Sequence, residues 1–69
     1  MYNGYSIYVP PSINEESGQE WFYTLGLQAF TAVYAKCKTY KHMEVRLYED
    51  GKIIRKWVID CVQILRPTN

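Results

Sequence analysis

Several things are scarce in this chain. There are two cysteines in 69 residues, Cys37 and Cys61. A disulfide-built mini-protein usually carries about four to eight, so both are read as reduced and partly buried. There is one histidine, His42. Zinc takes three or four ligands at suitable spacing, and these three residues form no such motif. Cys37 and His42 lie across a predicted helix end, which suits a surface His beside a core Cys better than a nucleophile with its base. No run approaches the ~18 apolar residues of a membrane span. Residues Met1 to Pro10 lack the basic start and apolar run of a secretory signal. A cytoplasmic location is expected, with no membrane partner. Gly4, Gly18, Gly26 and Gly51 make no phosphate loop, and Ser6, Ser12 and Ser17 sit in no nucleophile motif. Glu15 and Glu16 are adjacent, which fits a solvated stretch better than a catalytic pair. The expectation is a protein that is not an enzyme and has no cofactor.

Positive charge is missing from the first half. Up to Ala35 there are three acids (Glu15, Glu16, Glu20) and no Lys or Arg. From Lys36 onward come all eight basic residues against four acids. The net charge is only +1, but the sorting allows a basic face. Lys36, Lys38, Lys41 and His42 also crowd a predicted helix end, where cations complement the dipole.

What the chain has in excess is tyrosine: Tyr2, Tyr5, Tyr8, Tyr23, Tyr34, Tyr40 and Tyr48. Tyr joins an apolar body to a polar tip and suits contact surfaces. Binding is therefore a better expectation than catalysis.

The pattern predicts an α+β fold: a small antiparallel sheet in the order ββαββ, with one helix packed on one face and residues 1–69 as a single domain. Tyr5 to Val9 reads as a strand, stopped by Pro10-Pro11. Ser12 to Gly18 reads as a loop. Glu20 to Thr24 suits a strand, with Thr24 as N-cap of the following helix, although a first helical turn is an alternative. Leu25 to Tyr40 carries the helical period. Phe30, Val33 and Cys37 form its inner face, flanked by Ala29, Tyr34 and Tyr40. Gly26 permits close approach to the sheet.

Met43 to Tyr48 and Lys52 to Ile59 flank Glu49-Asp50-Gly51, a hairpin signal. A two-residue turn would oppose Arg46 to Arg55. A three-residue turn would oppose Glu44 to Lys56, and charge favours it. It places Met43, Val45, Leu47, Ile53, Trp57 and Ile59 against the helix, with Arg55 snorkelling or stacked on an aromatic ring. Tyr48, Ile54, Val58 and Val62 then fall on the other face among Glu44, Arg46 and Lys56. The tail's own aliphatics, the N-terminal Tyr segment, a second copy or a foreign protein could cover that face. The tail from Val62 is expected to continue the last strand or fold back as an edge strand, with Pro67 ending it.

The helical segment Leu27-Gln28-Ala29-Phe30-Thr31-Ala32-Val33-Tyr34-Ala35-Lys36, followed by Met43-Glu44-Val45-Arg46-Leu47-Tyr48-Glu49-Asp50-Gly51-Lys52-Ile53-Ile54, resembles small proteins encoded by phages and mobile elements. Some of these are anti-CRISPR or antitoxin proteins. The resemblance covers about residues 20 to 60 and is one of pattern, so it carries no site residues. It implies inhibition of a host or defence protein by occlusion, without catalysis. From the residues themselves, Arg46, Tyr48, Arg55, Lys56 and Trp57 are the expected protein contacts, with Tyr5 and Tyr8 secondary. Two alternatives stand beside this. In one, the basic half binds nucleic acid, with Lys and Arg on phosphates and Tyr40, Tyr48 or Trp57 stacking bases. In the other, the chain is a homodimeric accessory protein.

Overall fold

The computed structural model describes residues 1–11 and 18–65. The expected loop at 12–17, with Ser12, Glu15, Glu16 and Ser17, and the expected stop at Pro67 lie outside the described residues.

The elements are β1 (Gly4–Val9), β2 (Gln19–Tyr23), α1 (Gly26–Lys36), β3 (His42–Glu49), β4 (Lys52–Asp60) and α2 (Cys61–Leu65). The strands form one antiparallel sheet in the order β2-β1-β3-β4. The fold is thus α+β, and the ββαββ order holds through β4. The tail departs from expectation: it forms the short helix α2 instead of an edge strand. Asp60 Oδ1 accepts the Val62 N–H at 3.0 Å, an N-cap bond, and the Cys61 N–H donates to the Lys41 carbonyl at 3.0 Å. Together they turn the chain out of the sheet.

Gln19–Tyr23 is a strand, as the aromatic content of Trp21, Phe22 and Tyr23 suggests. Helix α1 is shorter than its period. It ends at Lys36, whose carbonyl accepts both the Thr39 and Tyr40 N–H groups. Its N-cap is Leu25 instead of Thr24, and Gln28 Oε1 accepts the Leu25 N–H at 3.4 Å. The buried row is Ala29, Val33 and Cys37, and Phe30 is 62% exposed, against expectation. Small residues at i, i+4 and i+8 let the helix lie close to the sheet, which turns Phe30 outward. A Cβ on Gly26 would stand 3.3 Å from the Tyr5 ring, so the expected close approach is real.

The hairpin turn is at Asp50-Gly51, but neither expected register describes the whole hairpin. Asp50 (φ 52°) and Gly51 (φ 78°) both adopt the left-handed conformation, as a tight two-residue turn requires. Glu49 faces Lys52 and Tyr48 faces Ile53; a bulge then shifts the ladder, so Leu47 faces Arg55 and Arg46 faces Lys56. The extra residue, Ile54, resets the alternation of faces. Ile53 therefore shares a face with Tyr48, not with Trp57. The bulge sets Arg46 opposite Lys56 instead of Arg55, and Glu44 faces Val58 in the ladder while reaching Lys56 diagonally as an ion pair.

On the helix side the pairing aligns Trp21, Ile7, Val45 and Trp57 in one row across the four strands, and Tyr23, Tyr5, Leu47 and Arg55 in the next. The core is built from Ile7, Val9, Val33, Cys37, Met43 and Cys61, with Trp21, Tyr23, Val45, Ile59 and Ile64 packed against it. Within this core Cys37 and Cys61 are joined in a disulfide. This corrects the expectation of two reduced thiols. Spacing in the sequence does not reveal that α2 returns to the end of α1, which is what brings the two sulfurs together.

Candidate functional site

The helix-free face of the sheet is polar at its centre. Its rows across the strands are Glu20, Tyr8, Glu44 and Val58; then Phe22, Ser6, Arg46 and Lys56; then Gly4, Tyr48 and Ile53. Ser6 is completely buried. Glu20 is the hub. Its Oε2 accepts from Ser6 Oγ at 2.6 Å, from Tyr48 Oη at 2.6 Å and from Arg46 Nη1 at 3.3 Å. Arg46 also donates from Nε to Glu44 Oε2 at 3.1 Å, with Nη2 3.0 Å from the same oxygen in an ion pair, and its guanidinium lies 4.0 Å from the centre of the Tyr8 ring. Lys56 Nζ reaches Glu44 Oε1 at 3.7 Å.

Burial alone would push the Glu20 carboxyl up. The Ser6 and Tyr48 hydroxyls and the Arg46 charge outweigh it, holding Glu20 below the usual carboxylate range. Burial likewise opposes the charge on Arg46, but Tyr48, Glu44 and Glu20 together raise its affinity for the proton. These groups satisfy one another. Among the described residues no buried side-chain nitrogen or oxygen lacks a partner, and no group of His, Cys, Asp or Glu is placed to hold a metal.

The N-terminal segment covers part of this face. Tyr2 packs edge-on against Phe22 at 5.2 Å and Tyr48 at 5.5 Å. Its hydroxyl lies 2.8 Å from the Tyr5 carbonyl oxygen and 2.9 Å from that of Tyr23. Burial raises its pKa, as it does that of Tyr23.

The seven candidate contact residues therefore divide between two faces. Tyr8, Arg46, Tyr48 and Lys56 lie on the helix-free face, the first three inside the Glu20 network. Tyr5, Arg55 and Trp57 lie on the helix face. Tyr5 is packed under Gly26, whereas Arg55 is exposed, its guanidinium 5.1 Å from the Trp57 ring centre. The stacking alternative for Arg55 thus holds.

Two apolar surfaces are exposed: sequence reasoning missed the first and anticipated Ile54 and Val58 of the second. One is a ridge on α1, where Leu27, Phe30 and Tyr34 are exposed at i, i+3 and i+7, with Phe30 and Tyr34 edge-to-face at 5.4 Å. Its signal was present: α1 has more large apolar residues than one buried row needs. The other is β4, whose Ile53, Ile54 and Val58 are exposed, Val58 by 85%. Near the end of α1, a cavity of about 420 Å³ is lined by Val9, Pro10, Pro11, Thr39, Tyr40, Lys41 and His42.

Compared with known proteins, the chain matches no family model, no curated protein and no solved structure.

Proposed function

We propose that this chain is a small non-catalytic binding protein, an inhibitor of the phage or mobile-element type that blocks a host or defence protein by covering its surface. The observation that supports this best is the α1 ridge. An 11-residue helix gives Ala29 and Val33 to its own core and leaves Leu27, Phe30 and Tyr34 in solvent. Anchors at i, i+3 and i+7 are how an amphipathic helix enters an apolar groove. Exposed Arg55 stacked on Trp57 adds a contact of the kind enriched at hot spots. The Glu20 network argues for moving the contact surface from the Tyr48 side to the helix side, because its polar groups already have partners.

The nucleic-acid alternative draws less support. Arg46 and Lys56 contact Glu44, Lys36 Nζ sits 3.5 Å from the Trp21 ring centre and Arg55 stacks on Trp57, so four of the eight basic residues are engaged within the chain. A cytoplasmic location is consistent with no helix among the described residues being long and apolar enough to cross a membrane. The Cys37–Cys61 bridge weighs against it, since a reducing compartment keeps thiols open.

The test is functional. Expression in bacteria carrying an active CRISPR system should restore plating of a targeted phage, or expression beside a toxin should restore growth. Folded Leu27→Ala/Phe30→Ala should lose the effect. No rescue in either setting, or rescue undiminished in the double variant, refutes the reading.

A further inference from the structure

Strand β4 is an edge strand, and among the described residues no strand pairs with its outer row of backbone groups. We infer that this edge pairs antiparallel with β4 of a second copy about a two-fold axis at Val58, joining two four-stranded sheets into one. This assembly is independent of what the α1 ridge binds.

The register follows from charge and from the bulge. When the axis is perpendicular to the sheet, opposed side chains must share a face, so the axis passes through a residue. An axis at Arg55 or Lys56 sets two like charges directly against each other. The Lys56 axis also runs the pairing through Ile54, where the bulge resets the faces, so Ile53 and Ile59 of the two copies would point to opposite sides. An axis at Trp57 sets Lys56 against Val58, and Arg55 against Ile59, with no charge matched. An axis at Val58 opposes Val58 to its own copy, Trp57 to Ile59, and Lys56 to Asp60. The last pair is an ion pair, and symmetry makes it twice.

Three observations converge on this register. Val58 is 85% exposed although it is β-branched and sits within a strand. Lys56 lies opposite Arg46 across β3–β4, a like-charge pair in which Arg46 has both Glu20 and Glu44, whereas Lys56 reaches only Glu44 among the described residues, at 3.7 Å. Asp60 of the second copy would bring a negative charge to the free side of Lys56. Finally, the pairing uses Lys56 to Asp60, entirely beyond the bulge, and Ile54 of one copy falls beside Val62 of the other, where the chain has already entered α2. Exposed Val62 and Leu65 on α2 extend the apolar contact beyond the seam. Lys and bulges on an edge usually deter pairing. Here the bulge excludes the longer register, and Asp60 turns the Lys into an attraction.

Sedimentation equilibrium of the full chain up to ~100 μM is the first test, reaching well beyond micromolar dissociation constants. The expected mass is twice 8.2 kDa. Val58→Asp should yield a monomer with unchanged circular dichroism. Lys56→Asp should weaken association at least tenfold, and Lys56→Asp/Asp60→Lys should restore most of it. Because Asp60 also caps α2, a second readout avoids it: Val58→Cys should cross-link into a symmetric dimer on oxidation, and Ile54→Cys should not. A monomeric wild type overturns the inference. So does a dimer that survives Val58→Asp, or cross-linking at Ile54 instead of Val58.

Discussion

Replacing Glu20 by Gln should destabilise the chain by about 2 kcal/mol. The substitution keeps the shape and one acceptor oxygen but removes the charge. Three donors converge on Glu20 Oε2, from Ser6, Tyr48 and Arg46. A hydrogen bond to a charged group contributes about 1.5–3 kcal/mol and a neutral one about 0.5–1.5, so each loses roughly 1. The Glu20 side chain is 22% exposed, which lowers the sum of three such losses toward 2. The Gln amide must also turn its oxygen to Ser6, which is buried and has no access to water.

Urea unfolding, followed by fluorescence of Trp21 and Trp57, gives the stability difference directly. In a domain of this size a loss of about 2 kcal/mol lowers Tm by roughly 8–16 °C. Glu49→Gln, on the exposed turn side of β3, is the control and should change stability by less than about 0.5 kcal/mol. The pH dependence supplies an independent sign. The groups facing Glu20 are Ser6, Tyr48, Arg46 and, on β1, Tyr8, with Glu44 sharing the Arg46 guanidinium. The folded pKa of Glu20 lies below its unfolded one, so its contribution is complete above the ordinary carboxylate pKa of about 4.3. That contribution is lost as pH falls through the folded value. The acid loss of stability should therefore be shallower in Glu20→Gln. Equal stability of Glu20→Gln and Glu49→Gln, or an unchanged acid profile, would refute the network as a source of stability.

Reduction of Cys37–Cys61, which closes a separation of 24 residues, should cost about 3.5 kcal/mol on the chain-entropy estimate; thermal melts with and without reductant measure it, with thiol titration confirming the state. Gly4→Ala and Gly51→Ala should differ sharply. Gly4 has φ 147°, and a Cβ there would lie 2.8 Å from the Tyr23 carbonyl oxygen and 2.7 Å from Tyr2 Oη, whereas at Gly51 (φ 78°) the nearest atom is Met1 Cβ at 3.9 Å. Gly51→Ala should cost about 1–2 kcal/mol from its backbone alone. Gly4→Ala should cost clearly more, with Tyr2 displaced; equal melting shifts would contradict the close packing at Gly4.

The parts legible in the sequence were those decided locally. Asp50-Gly51 fixes a turn because two consecutive residues must take positive φ, and the β-rich runs on either side fix strands. The register was not local. One extra residue, Ile54, shifts the β3–β4 ladder between the turn and Arg55. Helix existence was legible from its period, but its rotation depended on how close Ala29 and Val33 could bring it to β1 and β2. The disulfide was hidden because Cys61 meets Cys37 only through the turn into α2. The hub was hidden too, since Ser6 and Glu20 become neighbours only once β1 and β2 pair.

The tyrosine excess then takes on a different meaning. Tyr2 bonds two carbonyls, Tyr48 bonds Glu20, and the Tyr40 hydroxyl donates to Gln19 Oε1 at 3.0 Å. Tyr8 supports Arg46, Tyr5 lies under Gly26, and Tyr23 packs against the core. Only Tyr34 stands outside, on the α1 ridge. A chain of this length buries only roughly 60% of its unfolded surface, so many side chains must end at the boundary of the fold. A Tyr there buries its ring and pairs its hydroxyl at the rim, where Leu would add no polar bond and Ser little area. Six of the seven serve the chain's own stability, and their number is poor evidence for a partner. The evidence lies instead with side chains that have no such polar tip and are nevertheless exposed: Leu27 and Phe30 on the helix, and Val58 on the edge.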